Sequence, residues 1–340
     1  MSERARRPTV KEVATRAGVS PMTVSRTLSG GLNVKPDVQQ RVMEAVAELG
    51  YHRNENARSI RPGHSSGLIG VAITNIANPY YSTFALGVEE EAALTGRRIL
   101  LGNTSEDAAR EADLVGDFLG RRVDGLIVVP AGSTSTHLAH SQSQGVPVVL
   151  ASRRIDGLAV DSVVLADDDG SYRGASTLID RGHTRIGYLG NALSIFTGQR
   201  RYAGFVRALE DHGIAVDPRI VAANQQTVEQ AREATRTLLS AAHPPTAIFC
   251  ANNRNAIGAL KEISAQLGAG VRDASDFPEI MSFDDFELAE LSPVPISVID
   301  HDPRELGRTA ARLLLDRLDG GGLDAAAREL ELPVSLRVVR

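Results

Sequence analysis

The chain has 340 residues, 42% of them hydrophobic and 23% charged, an ordinary globular balance that is too long for one compact core and suits two or three domains. No run of eighteen apolar residues occurs, and the basic start MSERARRPTVKE has no apolar stretch behind it, so neither a membrane span nor a secretory leader is expected and a cytoplasmic location is. Cys250 is the only cysteine, which excludes an internal disulfide and a cysteine-built metal centre. The net charge of −5 is unevenly spread. Residues 1–61 hold eleven Lys/Arg against six Asp/Glu, a net of +5, and the rest of the chain carries −10. A small basic head on an acidic body is the asymmetry of a DNA-binding module attached to another domain; a solvated basic tail is the alternative.

In chain order, Thr9 to Leu28 predicts two short helices about a tight turn. Thr9 and Glu12 form a capping-box pattern, Val10, Val13, Ala14 and Ala17 fall on one helical side, and Gly18 suits the left-handed exit. Ser20 is a second N-cap with Pro21 at the first helical position. The second helix thus presents Pro21, Met22, Thr23, Ser25 and Arg26 near its start, where a helix-turn-helix places side chains against base edges in the major groove. A third helix runs from Pro36 to Leu49 with Val38, Val42, Ala45, Val46 and Leu49 in one apolar stripe, ended by Gly50; Lys35 is a weak cap for it. The glycine-rich loop before it carries Asn33, within reach of phosphates. With Thr9, these residues make up the expected DNA-binding set of the head.

Residues 54–61, NENARSIR, are too few for a stable helix alone and would fold only against a partner. The run KEVATRAGVSPMTVSRTL, the third helix ending LGYHRN, and an Ala-Arg-Ser-aliphatic segment before a Gly/Ser linker together resemble the LacI/GalR family of bacterial transcriptional regulators. The resemblance implies that this segment is a hinge helix, two copies of which enter the minor groove at the operator centre. By position Ile60 is then the intercalating wedge, Asn54 and Arg58 flank it, and Ala57 lies on the helix–helix face. A plain interdomain linker is the alternative.

After the linker, short apolar runs (GLIGVAI, RILL, GLIVV, VPVVL) alternate with helical stretches, and the alternation restarts at DSVVLA and continues through RIGYLG, AIFCA and EIMSF. Such runs predict buried parallel strands of two successive α/β units. ISVID (296–300) and the helix after it are expected to return to the first unit. The predicted fold is therefore an N-terminal all-α helix-turn-helix domain with a hinge helix, plus a two-lobed α/β core with parallel sheets that resembles the periplasmic-binding-protein-like core of the same family. The boundaries expected are 1–53 for the DNA-binding domain, 54–66 for hinge helix and linker, 67–165 plus 296–323 for the first lobe, and 166–295 plus 324–340 for the second.

In open α/β sheets ligands sit beyond the carboxyl ends of the strands, and with two facing lobes in the cleft between them. Tyr80 and Tyr81, Ser152 and Arg153, Thr197 and Arg201, Asn252 and Asn253, Asp284 and Asp285, and His301 follow strands and form the candidate set. Their hydroxyl, amide, guanidinium and carboxylate groups suit a polyhydroxylated ligand. The resemblance points the same way, since Arg201 in R-x-x-G-F and Asp284 in F-D-D match effector contacts of the family. Asp284 as a cap and Arg201 as a salt bridge inside one lobe are the alternatives. Ser152 and Asn253 stand where the family commonly has Asp, Gln225 where an aromatic often stacks on the ligand, and Ser282 where Gly precedes Phe283. These departures lie on the ligand side and set the effector apart from a simple hexose.

No G-x-S-x-G, H-E-x-x-H, P-loop or dinucleotide glycine fingerprint appears. The expectation is a non-enzymatic, cofactor-free, sequence-specific transcriptional regulator, a homodimeric repressor on a pseudo-palindromic operator, controlled by a small polar effector of carbohydrate type. Induction and co-repression both fit the sequence. A solute-binding protein or an enzyme on the same two-lobed core is the alternative.

Overall fold

The structure is a computed structural model and describes residues 8–28, 30, 33–51, 65–271, 273–287, 289–322 and 325–339. The chain separates into two compact units, residues 1–66 and 67–340.

In the first unit, α1 (Val10–Ala17), α2 (Pro21–Leu28) and α3 (Pro36–Leu49) form the three-helix head. The Thr9 backbone N–H donates to Glu12 Oε2 at 2.6 Å, and the Glu12 N–H to Thr9 Oγ1 at 3.3 Å, the reciprocal capping box. Gly18 ends α1 at φ 66°, a conformation that penalises any Cβ. Ser20 Oγ accepts from the Thr23 N–H at 3.1 Å and starts α2. Lys35 gives α3 no side-chain cap. Val13, Ala14, Ala17, Val24, Val42 and Ala45 bury a small common core, with Val10, Leu28, Val46 and Leu49 packed around it. The expected hinge residues Asn54, Ala57, Arg58 and Ile60 lie outside the described residues.

In the second unit the first lobe begins with β1 (Leu68–Ile73), α4 (Pro79–Leu94), β2 (Arg98–Asn103), α5 (Ala108–Gly120), β3 (Gly125–Val128), α6 (Thr136–Ser143), β4 (Val148–Ala151) and β5 (Asp161–Leu165). The second lobe follows with α7 (Asp167–Asp180), β6 (Ile186–Leu189), α8 (Phe196–Asp211), β7 (Val221–Ala222), α9 (Val228–Leu239), β8 (Ala247–Cys250), α10 (Asn253–Gly268), β9 (Glu279–Phe283) and β10 (Ile296–Asp300). Then α11 (Pro303–Asp316) and β11 (Glu329–Leu332) return to the first lobe, and β12 (Ser335–Val338) to the second. The sheet orders are β11-β5-β4-β3-β1-β2 and β12-β10-β9-β8-β6-β7, parallel throughout except for the antiparallel β10–β12 edge.

Two expected lobe boundaries are therefore corrected. ISVID is β10 and pairs with β9 of the second sheet, in register Ile296 to Ile280, so the chain crosses back after residue 300 and not at 296. The C-terminal crossing falls between β11, which pairs with β5, and β12, so residues 329–332 belong to the first lobe. A buried apolar run fits a central position in either sheet, and only the packing of its neighbours decides between them. The helices α4 and α11 meet so closely that a Cβ on Gly87 would overlap the Arg304 carbonyl and one on Gly307 the Phe84 carbonyl. That crossing anchors α11 to the first lobe, and Glu90 ties it further by accepting from Arg304 Nε at 2.8 Å and Arg308 Nη2 at 2.9 Å.

The returning segment is held by one carboxylate. Asp161, at the start of β5 and buried, accepts from Arg317 Nε at 2.9 Å, Arg328 Nη2 at 2.7 Å and the Arg328 N–H at 2.8 Å. Burial opposes its ionisation, but Arg317 and Arg328 outweigh that and bring its pKa from 3.8 to about 2. A lowered carboxylate stabilises the fold above its unfolded pKa, and that contribution fades as pH falls through the folded value. Asp161→Ala should cost about 3 kcal/mol at neutral pH by leaving Arg317 without a carboxylate and Arg328 with Asp316 alone. The deficit relative to the parent should shrink as pH drops from 4 toward 2; urea titrations across that range measure it, and a pH-independent difference would contradict the assignment.

Candidate ligand cleft and nucleic-acid interface

The facing carboxyl ends of the two sheets enclose a cavity of about 280 Å³, lined from the first lobe by Thr74, Asn78, Tyr80, Tyr81, Ser152 and Arg153, and from the second by Thr197, Arg201, Asn252 and Asp284 among others. Several strand ends turn sharply into it. Ser105 and Glu106 after β2, Ser152 after β4, Asn224 after β7 and Asp284 after β9 all have left-handed backbone, with φ between 58° and 74°. Non-glycine residues held there carry strain that concentrates at functional sites. Ser282 helps to fix the last of these turns, its hydroxyl donating to the Asp284 carbonyl at 2.9 Å.

Arg201 forms the floor. It is 6% exposed, donates from Nε to Asp167 Oδ1 at 2.7 Å and from Nη1 to the Ala251 carbonyl at 2.6 Å, and lies 3.4 Å from Asp284. Its guanidinium stacks over Phe283, 3.6 Å from the ring centroid. Asp284 also faces His301 Nε2 at 3.0 Å. Burial alone would raise the Asp284 pKa, but the charge of Arg201 and the His301 hydrogen bond overcome it and keep the carboxyl below its ordinary range. For Asp167 the balance is reversed: full burial dominates over Arg201, and its pKa is raised. Arg201 is thus a lobe-internal bridge and a wall of the cavity at once, and Asp284 pairs with side chains.

The other expected residues divide. Tyr80 and Tyr81 sit on the first turn of α4, which Asn78 caps and Pro79 opens. Tyr80 hydrogen-bonds Ser152 Oγ at 3.0 Å and packs edge-on to Tyr81 and His301. Thr197 and Asn252 line the cavity. Four residues do not reach its lining, among them Asp285, which pairs with Arg337. Gln225 folds its side chain onto the Ala223 carbonyl at 3.0 Å, and its neighbour Gln226 takes the cavity position. Asn253 exchanges hydrogen bonds with Asn78 across the lobes, at 2.9 and 3.3 Å. His301 stands behind Asp284 with a nearly inaccessible side chain.

Arg153, expected after its strand, and residues outside the expected set also shape the cavity. Arg153 grips Glu106 through both terminal nitrogens at 2.6 and 2.8 Å. Asn191 accepts from Asn252 Nδ2 at 2.7 Å, and Arg254 lines the second-lobe wall. The capping residue Asn78 was legible beside Pro79; Asp167 and Glu106 stand on their own strand ends far from Arg201 and Arg153 in sequence, and no local pattern links them. Among the described residues no cluster of His, Cys, Asp and Glu could hold a metal ion.

On the head, Pro21, Met22 and Arg26 are exposed, Thr23 and Ser25 partly so. Met22 is 65% exposed and takes no part in the small core of the head. Thr9 and Ser20 are exposed with their hydroxyls in caps, and Asn33 is exposed at φ 63°. Among the described residues no helix is long and apolar enough to cross a membrane.

Arg201→Leu should leave Asp167 and Asp284 buried without a cation and destabilise the core by about 3–5 kcal/mol at neutral pH. With the charge of Arg201 gone, Asp167 is raised further while Asp284 keeps His301, and a raised group favours folding below its unfolded pKa. Part of the loss should therefore be recovered between pH 7 and pH 5, read by chemical denaturation of the two proteins in parallel.

Residues 9–54 match the model of bacterial regulatory proteins of the lacI family, and residues 66–334 that of periplasmic binding proteins and the sugar binding domain of the LacI family. Catabolite control protein A of Priestia megaterium is 29% identical over 97% of this chain and 98% of its own. The ribose operon repressor of Haemophilus influenzae is 30% identical over 91% and 92%. Among solved structures, the lac repressor dimer bound to operator and the anti-inducer ONPF superposes with a TM-score of 0.82 at 26% identity, covering 98% of both chains.

Proposed function

The chain belongs to the LacI family of bacterial regulatory proteins, and on that basis we propose a ligand-controlled repressor whose cleft occupancy sets its hold on an operator. It is a sequence-specific DNA-binding transcriptional regulator that works as a homodimer on double-stranded DNA, and its effector is a small polar molecule of the sugar class. Its place of action is the cytoplasm, and it acts by binding rather than by catalysis.

The observation that carries this reading is the cavity between the lobes. Side chains of both lobes line it, so a ligand there has differential contacts with open and closed arrangements of the core, the requirement for any allosteric effect. Tyr80, Tyr81 and Ser152 meet the ligand from the first lobe. Thr197, Arg201, Asn252 and Asp284 meet it from the second, Asp284 accepting from hydroxyls and Arg201 donating. Gln225, Asn253 and His301 act indirectly, Asn253 by joining the lobes through Asn78 and His301 by orienting Asp284. In the head, Met22, Thr23, Ser25 and Arg26 read the major groove, with Thr9, Ser20, Pro21 and Asn33 placing the helix against the backbone. Ile60, flanked by Asn54 and Arg58 and paired across Ala57, opens the minor groove. A coupling of roughly 1–3 kcal/mol between cleft and hinge gives a 5- to 150-fold change in operator affinity.

Fluorescence anisotropy on twofold-symmetric DNA tests the scheme. Log affinity should fall linearly with log salt, by roughly 0.9 for each neutralised phosphate, and a flat dependence would contradict phosphate-driven binding. Ile60→Ala should weaken specific binding by a few kcal/mol, the scale of one unstacked step, without altering ligand affinity. Asp284→Asn should retain operator binding and lose the response to ligand; an unchanged response would remove Asp284 from the site.

A further inference from the structure

The charges lining the cleft are matched with one exception. Arg153 has Glu106, Arg201 has Asp167 and Asp284, and Asp284 has Arg201 and His301. Arg254 lines the same cavity, and among the described residues its side chain has neither a carboxylate within ion-pair distance nor a hydrogen-bond partner. Its Nε is buried and unpartnered. A buried guanidinium N–H without an acceptor forfeits its desolvation energy, which is why such groups are rare in folded proteins.

The position adds to the imbalance. Arg254 is the second residue of the 16-residue helix α10, whose N-cap Asn252 and first residue Asn253 also face the cleft region. A helix N-terminus carries partial positive charge, so a cation in its first turn is unfavourable unless an anion stands in front of it. The first turn of α10 contains no acidic residue to supply one. The charged side chains on the cavity wall are Arg153, Arg201, Arg254, Glu106 and Asp284, and among them Arg254 alone has no ionic partner among the described residues. Beside it, Thr227 and Gln226 from the start of α9 offer a hydroxyl and an amide.

We propose that the effector is an acidic carbohydrate, a polyol that carries a carboxylate or phosphate group, and that Arg254 is the residue that recognises this anion. This rests on the cleft being the effector site. The hydroxyls meet Asp284 and Arg201 on the floor, while the anionic group meets Arg254 at the N-terminus of α10. The guanidinium offers a carboxylate or phosphate a two-pronged, charge-assisted contact that its present surroundings do not.

The full-length protein can be titrated calorimetrically with matched probes: glucose, glucose 6-phosphate, glucuronate and gluconate, with the galactose and ribose counterparts. At least one acidic probe should bind more tightly than its neutral parent, and Arg254→Gln should reduce that affinity roughly 10-fold or more while operator binding stays unchanged. Arg254→Lys should recover part of it. Whether the phosphate or the carboxylate member of the pair binds identifies the source of the anion. A neutral sugar that binds as tightly as its acids, with Arg254→Gln without effect, overturns the anion assignment and leaves the cleft reading in place. Loss of all binding in Asp284→Asn but no preference for acids in the parent has the same meaning. Failure of every probe, acidic and neutral, overturns both.

Discussion

A single buried cation organises the second lobe. Arg201 gathers the start of α7 through Asp167, the end of β8 through the Ala251 carbonyl and the end of β9 through Asp284. Removing three charges from water is expensive, and here it is offset by charge-assisted hydrogen bonds and by the face of Phe283 beneath the guanidinium. The two carboxylates are not equivalent. Asp167 is wholly enclosed, whereas Asp284 reaches the cavity wall and stays ionised, so the network ends in a fixed acceptor aimed at the cleft. The floor of the cavity is thus ordered in advance, and little conformational entropy is left to lose there.

The first lobe contributes differently. Its wall at Tyr80 and Ser152 is hydroxyl and aromatic surface, and Arg153 is neutralised by Glu106. The direct amide exchange between Asn78 and Asn253 joins the N-cap of α4 to the first residue of α10 across the division between lobes. Its strength is that of ordinary neutral hydrogen bonds, about 1 kcal/mol each, small enough for ligand contacts to compete with. A charge-paired floor in one lobe and a breakable neutral contact between lobes are the parts that a ligand-sensitive core requires.

Much of this was legible in the residues. The helix-turn-helix followed from Thr9, Glu12, Gly18, Ser20 and Pro21, because caps and left-handed exits are local properties and need no tertiary information. The alternation of buried runs and helices gave the doubly wound sheets, and the strand-end rule placed Arg201 and Asp284 in the cleft. Which sheet owns a strand was not legible: ISVID is buried on both faces in either setting, and ELEL and SLRV are edge strands with little pattern of their own. Gln225 and Asn253 failed for a related reason. Position along the chain brought each to the rim, but the direction of the side chain was decided by a nearby carbonyl in one case and by an asparagine 175 residues away in the other.

The left-handed turns at Ser152 and Asp284 bear on how such a cleft can change over evolutionary time. A β-branched or bulky residue fits that backbone poorly, so the usable replacements reduce to glycine, asparagine, aspartate, serine and a few others of similar size. Affinity for a new small molecule is therefore more accessible through helical wall positions, where any rotamer-compatible residue is admitted, than through the strand ends. Divergence of ligand choice would proceed along the helices, with the turns retained as inherited scaffolding.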